Sequence, residues 1–273
     1  MSEVIFEALP GGRNFITGGG TRNALKLSRP WQVPLPQPQP ETCPFCTTKL
    51  HEEIPHPCRP EGWKLFPNIF TPHRQHHLIV PNICQPAEFM QTLGGIGNIL
   101  KVFQFATELI KDSTGELALF CHIGYHAGQN LAHLHWHLTE VRAERPLDPF
   151  LRRSNPLVRR ITDLEIVAAG SRAGECIIYP HARTLPVKEM TLPLADAINY
   201  IVSLGNQKFM SAEGNPPNFC VSIRISADKT LRYADYCPIL NMWGAPEYAF
   251  ALLEGGPITL PWTHELTAEY LRS

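Results

Sequence analysis

Histidine is the residue whose placement in this chain speaks most directly of chemistry. Of twelve histidines in 273 residues, all but His181 and His264 lie between residues 51 and 137. Imidazole titrates near neutral pH, attacks electrophiles when neutral and ligates metals, so chemistry is expected in the first half. Within GQNLAHLHWHLTE, His133, His135 and His137 alternate. Alternate side chains of a strand share one face, roughly 6.6–7 Å apart, which puts the three imidazoles together and Leu134 and Trp136 on the other side. Random decoration of an exposed edge strand does not account for three in strict alternation behind Gly128-Gln129-Asn130. The second signal is Cys43-Pro44-Phe45-Cys46, which has the short spacing of a zinc knuckle. It follows an extended proline-rich segment rather than opening a helix after a strand, which argues against a redox pair. Tetrahedral zinc needs two more ligands, and His51, His56 and Cys58 are close in sequence.

The elements that must carry these residues read as a repeat. Residues 1–42 are expected to be mostly irregular, with a flexible GGRNFITGGG and the proline-rich spacer PWQVPLPQPQPETCP. WKLFPNIF and HHLIVP read as two strands joined by TPHRQ. PAEFMQTLGGIGNILKVFQFATELIKDS reads as a helix, because Ile96, Ile99, Leu100, Phe103, Ala106, Leu109 and Ile110 recur at three- and four-residue steps. ELALFCHIG and NLAHLHWHLTE follow as strands. About 100 residues later the order returns: LEIVAAG and ECIIYP as a hairpin, LPLADAINYIVSLGNQKF as a helix, NFCVSIRIS and LRYADYCPIL as strands. A strand–strand–helix–strand–strand unit met twice implies duplication or an internal pseudo-dimer. The expected division is an irregular segment 1–42, a first unit 43–148 and a second unit 149–273. The arginine-rich RAERPLDPFLRRSNPLVRRI is read as a solvated linker between the units.

Composition narrows the classes. Twenty-four basic against 25 acidic residues give a net charge of −1, which excludes a broad phosphate-binding surface for nucleic acid. No apolar run reaches the roughly 18–20 residues needed to span a bilayer, and the N-terminus lacks a signal-peptide pattern. Eight cysteines are too sparse for a disulfide scaffold, so reduced thiols in a cytoplasmic protein are expected. Cys121, Cys176, Cys220 and Cys237 read as buried thiols in apolar contexts.

His133-Leu134-His135-Trp136-His137-Leu138 resembles the His-x-His-x-His signature of the histidine triad superfamily of nucleotidyl hydrolases and transferases. Gly128-Gln129-Asn130 resembles its phosphate-contacting approach. Phe66-Pro67-Asn68-Ile69 followed by His76-His77-Leu78-Ile79-Val80-Pro81 resembles the family's F-x-D-I … H-x-L-V-I-P segment. The resemblance covers about residues 63–140. It implies an α+β fold of two tandem histidine-triad-like halves, antiparallel sheets with helices packed on them, the second half degenerate. It implies that His135 attacks the α-phosphorus of a nucleotide to form a covalent nucleotidyl-histidine. Gln129, Asn130 and His137 are then placed at the phosphate or leaving group. Asn68 stands where the family usually has an acidic ribose ligand, His122 where relatives often carry asparagine, and His76 corresponds to a supporting histidine. In metal-bearing members the remaining zinc ligands correspond to Cys84 and His133, against the nearby set His51, His56 and Cys58.

Arg29-Pro30-Trp31 ahead of the C-x-x-C, together with the tandem repeat, resembles the galactose-1-phosphate uridylyltransferase branch. That implies Arg29 at a substrate phosphate, acting across a homodimer interface in the manner of the branch. Tyr233 and Asp235 replace paired histidines of a second metal site, and His137 replaces the branch's glutamine. The implied activity is transfer of a nucleoside monophosphate between a nucleotide sugar or dinucleoside polyphosphate and a phosphate or sugar-phosphate acceptor. The alternatives are a hydrolase with the same covalent step and a noncatalytic zinc-stabilised nucleotide-binding module. Neither nucleic acid nor membrane is an expected partner.

Overall fold

Alternation of side chains builds most of this molecule. In NFCVSIRI, Phe219, Val221, Ile223 and Ile225 are buried while Cys220, Ser222 and Arg224 are half-exposed, as a strand covered on one face requires. The computed structural model describes residues 5–9, 12–16, 41, 43–47, 53–68, 76–82, 96–110, 113–124, 127, 133–141, 155–169, 174–181, 186–210, 216–239 and 264–273. Its strands are β1 Ile5–Leu9, β2 Gly12–Ile16, β3 Trp63–Pro67, β4 His76–Pro81, β5 Glu116–Ile123, β6 Trp136–Val141, β7 Leu157–Ile161, β8 Leu164–Ala168, β9 Cys176–Pro180, β10 Asn218–Ile225 and β11 Leu231–Ile239. The helices are α1 Ile96–Leu109, α2 Val187–Lys208 and α3 His264–Arg272.

β3 to β11 form one nine-stranded antiparallel sheet in the order β3-β4-β6-β5-β10-β11-β9-β8-β7. The expected repeat is visible in it. The first unit has the order β3-β4-β6-β5, and the second, read from the other end, has β8-β9-β11-β10. Each unit therefore places its fourth strand between its second and third. Equivalent strands β5 and β10 pair antiparallel at the junction, from Phe219 opposite Ile123 to Ile225 opposite Leu117. An approximate two-fold axis between two copies produces this arrangement. The two halves thus share one continuous sheet rather than holding separate ones.

All three helices lie on one face of that sheet. From α1, Ile99, Val102, Phe103, Phe105 and Ala106, with Ile110 just past its end, are buried in one core with Leu119, Cys121, Trp136 and Leu138. From α2, Met190, Leu194, Ile198 and Ile201 join the same core, and α1 packs on α2. Each fully buried Leu, Ile or Phe contributes about 1.5–3 kcal/mol, so the core spans and ties both halves. The opposite face is free of helices among the described residues. Over β3 and β4 it carries a small separate cluster, Phe66, Leu78 and Val80 beneath Cys43 and Phe45.

Three local expectations need correction. Part of the segment read as irregular forms the antiparallel pair β1–β2, in register from Ile5–Ile16 to Leu9–Gly12. The arginine-rich linker contributes β7, an edge strand on β8 whose single buried side chain, Val158, gave too little apolar periodicity to signal it. The helix read from Leu192 begins at Val187 and runs through Pro193, which has no N–H for the Glu189 carbonyl; the turn ahead of it is held by the Val187 amide on the Lys229 carbonyl and by Thr191 Oγ1 on the Val187 carbonyl. The C-terminal α3 was not anticipated; its Ala268 and Leu271 are buried in the main core.

Candidate active site

The cysteine turn and the start of the triad form one cluster. Residues 43–47 make a tight turn in which the Cys46 and Thr47 amides donate to the Cys43 carbonyl. Lys64 Nζ donates to the Phe45 carbonyl, 2.8 Å away, fixing the turn over β3. Both thiols converge on one nitrogen: His133 Nδ1 is 3.2 Å from Cys43 Sγ and 3.5 Å from Cys46 Sγ. On the far side of the ring, Nε2–H donates to the Pro81 carbonyl at 2.7 Å. A carbonyl only accepts, so Nε2 holds the proton and Nδ1 keeps its lone pair facing the sulfurs. This is the tautomer of a metal ligand, with its outer hydrogen bond in place. Burial, partly offset by the Pro81 bond and aided by Lys64, holds the His133 pKa below the usual imidazole value. Zinc bonds of about 2.3 Å to sulfur and about 2.0–2.1 Å to nitrogen imply a tetrahedral S···N edge of about 3.6 Å, close to these separations. Cys43, Cys46 and His133 thus fit a metal ion as three ligands. Cys84 and His51 lie outside the described residues. His56 turns away: its ring packs edge-on against Phe105 and its Nδ1 accepts from the Cys58 amide.

The middle histidine is held differently. His133 and His135 precede β6 rather than lie within it, yet the alternation persists, with Leu134 and Trp136 buried in the core. His135 Nδ1–H donates to the His133 carbonyl at 2.8 Å, which leaves the lone pair on Nε2. Burial, partly offset by that bond and reinforced by His122 and His133, lowers the His135 pKa to about 4, so the ring is neutral at physiological pH and its Nε2 has the chemistry of a nucleophile. Phe45 packs against both histidine rings, 5.4 Å from His133 and 5.3 Å from His135, joining the cysteine turn to the middle histidine.

His137 sits deeper in the same cluster. It stacks flat on Phe120, with centroids 4.7 Å apart, and its ring is 4.9 Å from that of His135. Its Nδ1 meets His76 Nε2 at 2.9 Å, a bond in which one ring donates and the other accepts. Burial first, then His135, His76 and His122, push it down to about 2. The Asn68 amide lies 3.3 Å from His76 Nε2, and the Asn68 backbone N–H donates to the His76 carbonyl. His122 completes the group, 6.0 Å from His137 by ring centroids. Gly124, at φ +89°, ends β5; a side chain there would collide with Asn218.

The fold thus gathers His135, His137, His122 and Asn68 on the open face and puts His133 with the cysteines. Gln129, Asn130 and Arg29 lie outside the described residues. Arg159 and Arg160, in the segment read as a solvated linker, are on β7, six strand positions from β6. Arg160 is bound to Glu165, and Arg159 lies 4.5 Å over the Tyr200 ring. Sequence reasoning passed over Phe45, Phe120 and Cys220. Phe120 was signalled by its alternation with His122. Cys220, read as a thiol in an apolar context, is half-buried beside His122; only the pairing of β5 with β10 reveals it.

No family model matches the chain, and no curated protein matches it. Solved structures do. A GalT-like protein of Arabidopsis thaliana superposes with a TM-score of 0.63 at 13% identity, over 85% of this chain and 92% of that one. The ADP-glucose phosphorylase of Arabidopsis thaliana, solved with bound ADP-glucose, gives 0.62 at 13% identity, over 91% and 93%. A uridylyltransferase gives 0.57 at 17% identity, over 90% and 91%. The chain has the fold of these proteins across 85–91% of its length.

Proposed function

We propose that the chain is a nucleotidyltransferase working through a nucleotidyl-His135 intermediate. One observation carries this reading: His135 Nδ1–H is committed to the His133 carbonyl, so the neutral ring keeps its lone pair on Nε2, on the open face of the sheet. Nε2 attacks the α-phosphorus of a nucleotide donor; the N–P bond forms as the bond to the leaving oxygen breaks. With a nucleotide sugar the leaving group is a sugar phosphate, which departs as a stable anion without a proton. A phosphate oxygen of the acceptor then attacks the same phosphorus and restores His135. Gln129, Asn130 and His137 serve the transferring phosphoryl group, and Asn68 serves the ribose. Arg29, from this chain or a second copy, grips the acceptor. The fold shared with an ADP-glucose phosphorylase and a uridylyltransferase supports a nucleotide sugar as donor.

In this reading Cys43, Cys46, Cys84 and His133 hold zinc. The ion supplies folding free energy and fixes the entrance to β6, and takes no part in transfer. A cytoplasmic setting, whose reducing poise keeps thiols available to hold zinc, belongs to this proposal; no described helix is long and apolar enough to cross a membrane.

Incubation with ADP-glucose, UDP-glucose and a dinucleoside polyphosphate, followed by intact-protein mass spectrometry, tests the proposal. A nucleoside monophosphate adduct lost in His135→Ala is expected, and its discharge should require inorganic phosphate or a sugar phosphate. Discharge at the same rate in buffer alone replaces transfer with hydrolysis. No adduct with any donor leaves the binding-module reading.

A further inference from the structure

The second half of the chain contributes a side chain to the histidine cluster. β10 lies beside β5 with Cys220 directly opposite His122, both on the helix-free face. Cys220 Sγ is 3.1 Å from His122 Nδ1 and 3.6 Å from the Ala127 carbonyl. A thiol has one proton to give, and an imidazole nitrogen is both nearer here and the better acceptor. Donation to Nδ1 leaves the His122 proton on Nε2, at the end of the ring farthest from the backbone. The ring is close enough to His135 and His137 that a charge on it would oppose charge on either. A neutral His122 with Nε2–H outward presents a donor without adding a cation to a crowded, desolvated group. That is the hydrogen-bonding pattern of an amide N–H.

We propose that Cys220 is a positioning residue for His122. Its thiol fixes the imidazole as the Nε2–H tautomer, so that His122 donates to the anionic group on which His135 acts. The inference rests on the nucleotidyl-transfer reading for its consequence, and on the Sγ···Nδ1 contact alone for its geometry. It also assigns the second half a part in the site, through the one strand that borders the catalytic half.

Two measurements test it. Nitrogen-15 NMR of the histidine side chains reports the tautomer without turnover: in the wild-type protein His122 Nδ1 should be unprotonated and Nε2 protonated. In Cys220→Ala this state should give way to averaging of the two tautomers. A protonated Nδ1 in the wild type overturns the proposal, whatever the activity. Kinetically, Cys220→Ala should lower kcat about 5- to 10-fold with donor KM nearly unchanged, the size of one hydrogen bond felt in the transition state. Cys220→Ser, which keeps an O–H donor, should recover most of that loss. In a His122→Asn background the Cys220→Ala change should have no effect, because the group it positions is gone. Equal losses in Cys220→Ala with and without His122 would make Cys220 a packing residue and sink the proposal. A wild type that forms no adduct with any nucleotide would instead defeat the transfer reading, while the tautomer measurement still decides what Cys220 does.

Discussion

His133 and His135 are two residues apart and have opposite tautomers. Pro81 takes the Nε2 proton of His133, and the His133 carbonyl takes the Nδ1 proton of His135. The backbone therefore turns the Nδ1 lone pair of one ring to the cysteines and leaves the Nε2 lone pair of the other, the division that the proposed metal and nucleophile roles require and that alternation alone does not make. His135→Ala is expected to reduce turnover on the order of 10³-fold or more while costing much less stability than Cys43→Ala, because the ring lies on the helix-free face and outside the main core. His135→Gly should recover part of the activity with added imidazole, which fills the vacated space. A fall in melting temperature matching that of Cys43→Ala would mark His135 as structural. For the metal, Cys43→Ala should lose the ion and melt about 5–10 °C lower. Metal analysis of Cys84→Ala settles the fourth ligand; full zinc retention would move the assignment to the His51, His56 and Cys58 group.

At the scale of elements, β7, β8 and β9 are tied by one carboxylate. Glu165 accepts from Arg160 Nε at 2.8 Å and Tyr179 Oη at 2.8 Å, with His181 Nδ1 at 3.0 Å. Desolvation alone would raise this carboxyl, but the Tyr179 and Arg160 hydrogen bonds and the nearby charges of His181 and Arg160 hold it below its ordinary range. A carboxyl lowered in the folded state stabilises fully above its unfolded pKa, and that stability is lost as pH falls through the folded value. Glu165→Gln should therefore destabilise by on the order of 1 kcal/mol at pH 7, after allowance for the solvent around Arg160. The difference should shrink below about pH 4 as the wild-type carboxyl protonates. Denaturant melts of both proteins across that range provide the check; a difference constant with pH would show that the ionised network contributes nothing.

The molecule as a whole is two similar units joined through equivalent strands and one core. Residues 43–148 alone would expose the β5 edge and the α1 face that packs on α2. That fragment is expected to sediment as a dimer or aggregate and never as a folded monomer, with β5 finding a second β5 in place of β10. The intact chain should melt in one cooperative transition. A monomeric fragment with its own sharp transition would show that the junction is dispensable. At the same scale, the proposed acceptor grip predicts that Arg29→Ala raises the acceptor KM more than the donor KM in steady-state kinetics.

What the sequence determined by itself was local and periodic: the alternation of His133, His135 and His137, the C-x-x-C spacing, the stripe from Ile99 to Ile110, and the repeated strand order. Each follows from side-chain period and ligand chemistry, which act over a few residues. β7 and α3 escaped because an edge strand with one buried residue and a short terminal helix carry too little periodicity to stand out. The tertiary structure alone decided what depends on contacts between distant segments. It brought Cys43 to His133 across ninety residues and turned His56 away onto Phe105. It withdrew Arg159 and Arg160 to the far edge of the sheet and set Cys220 against His122 across the junction. Strand pairing made that last choice, and register is fixed by the buried faces of both partners together, which neither segment carries alone.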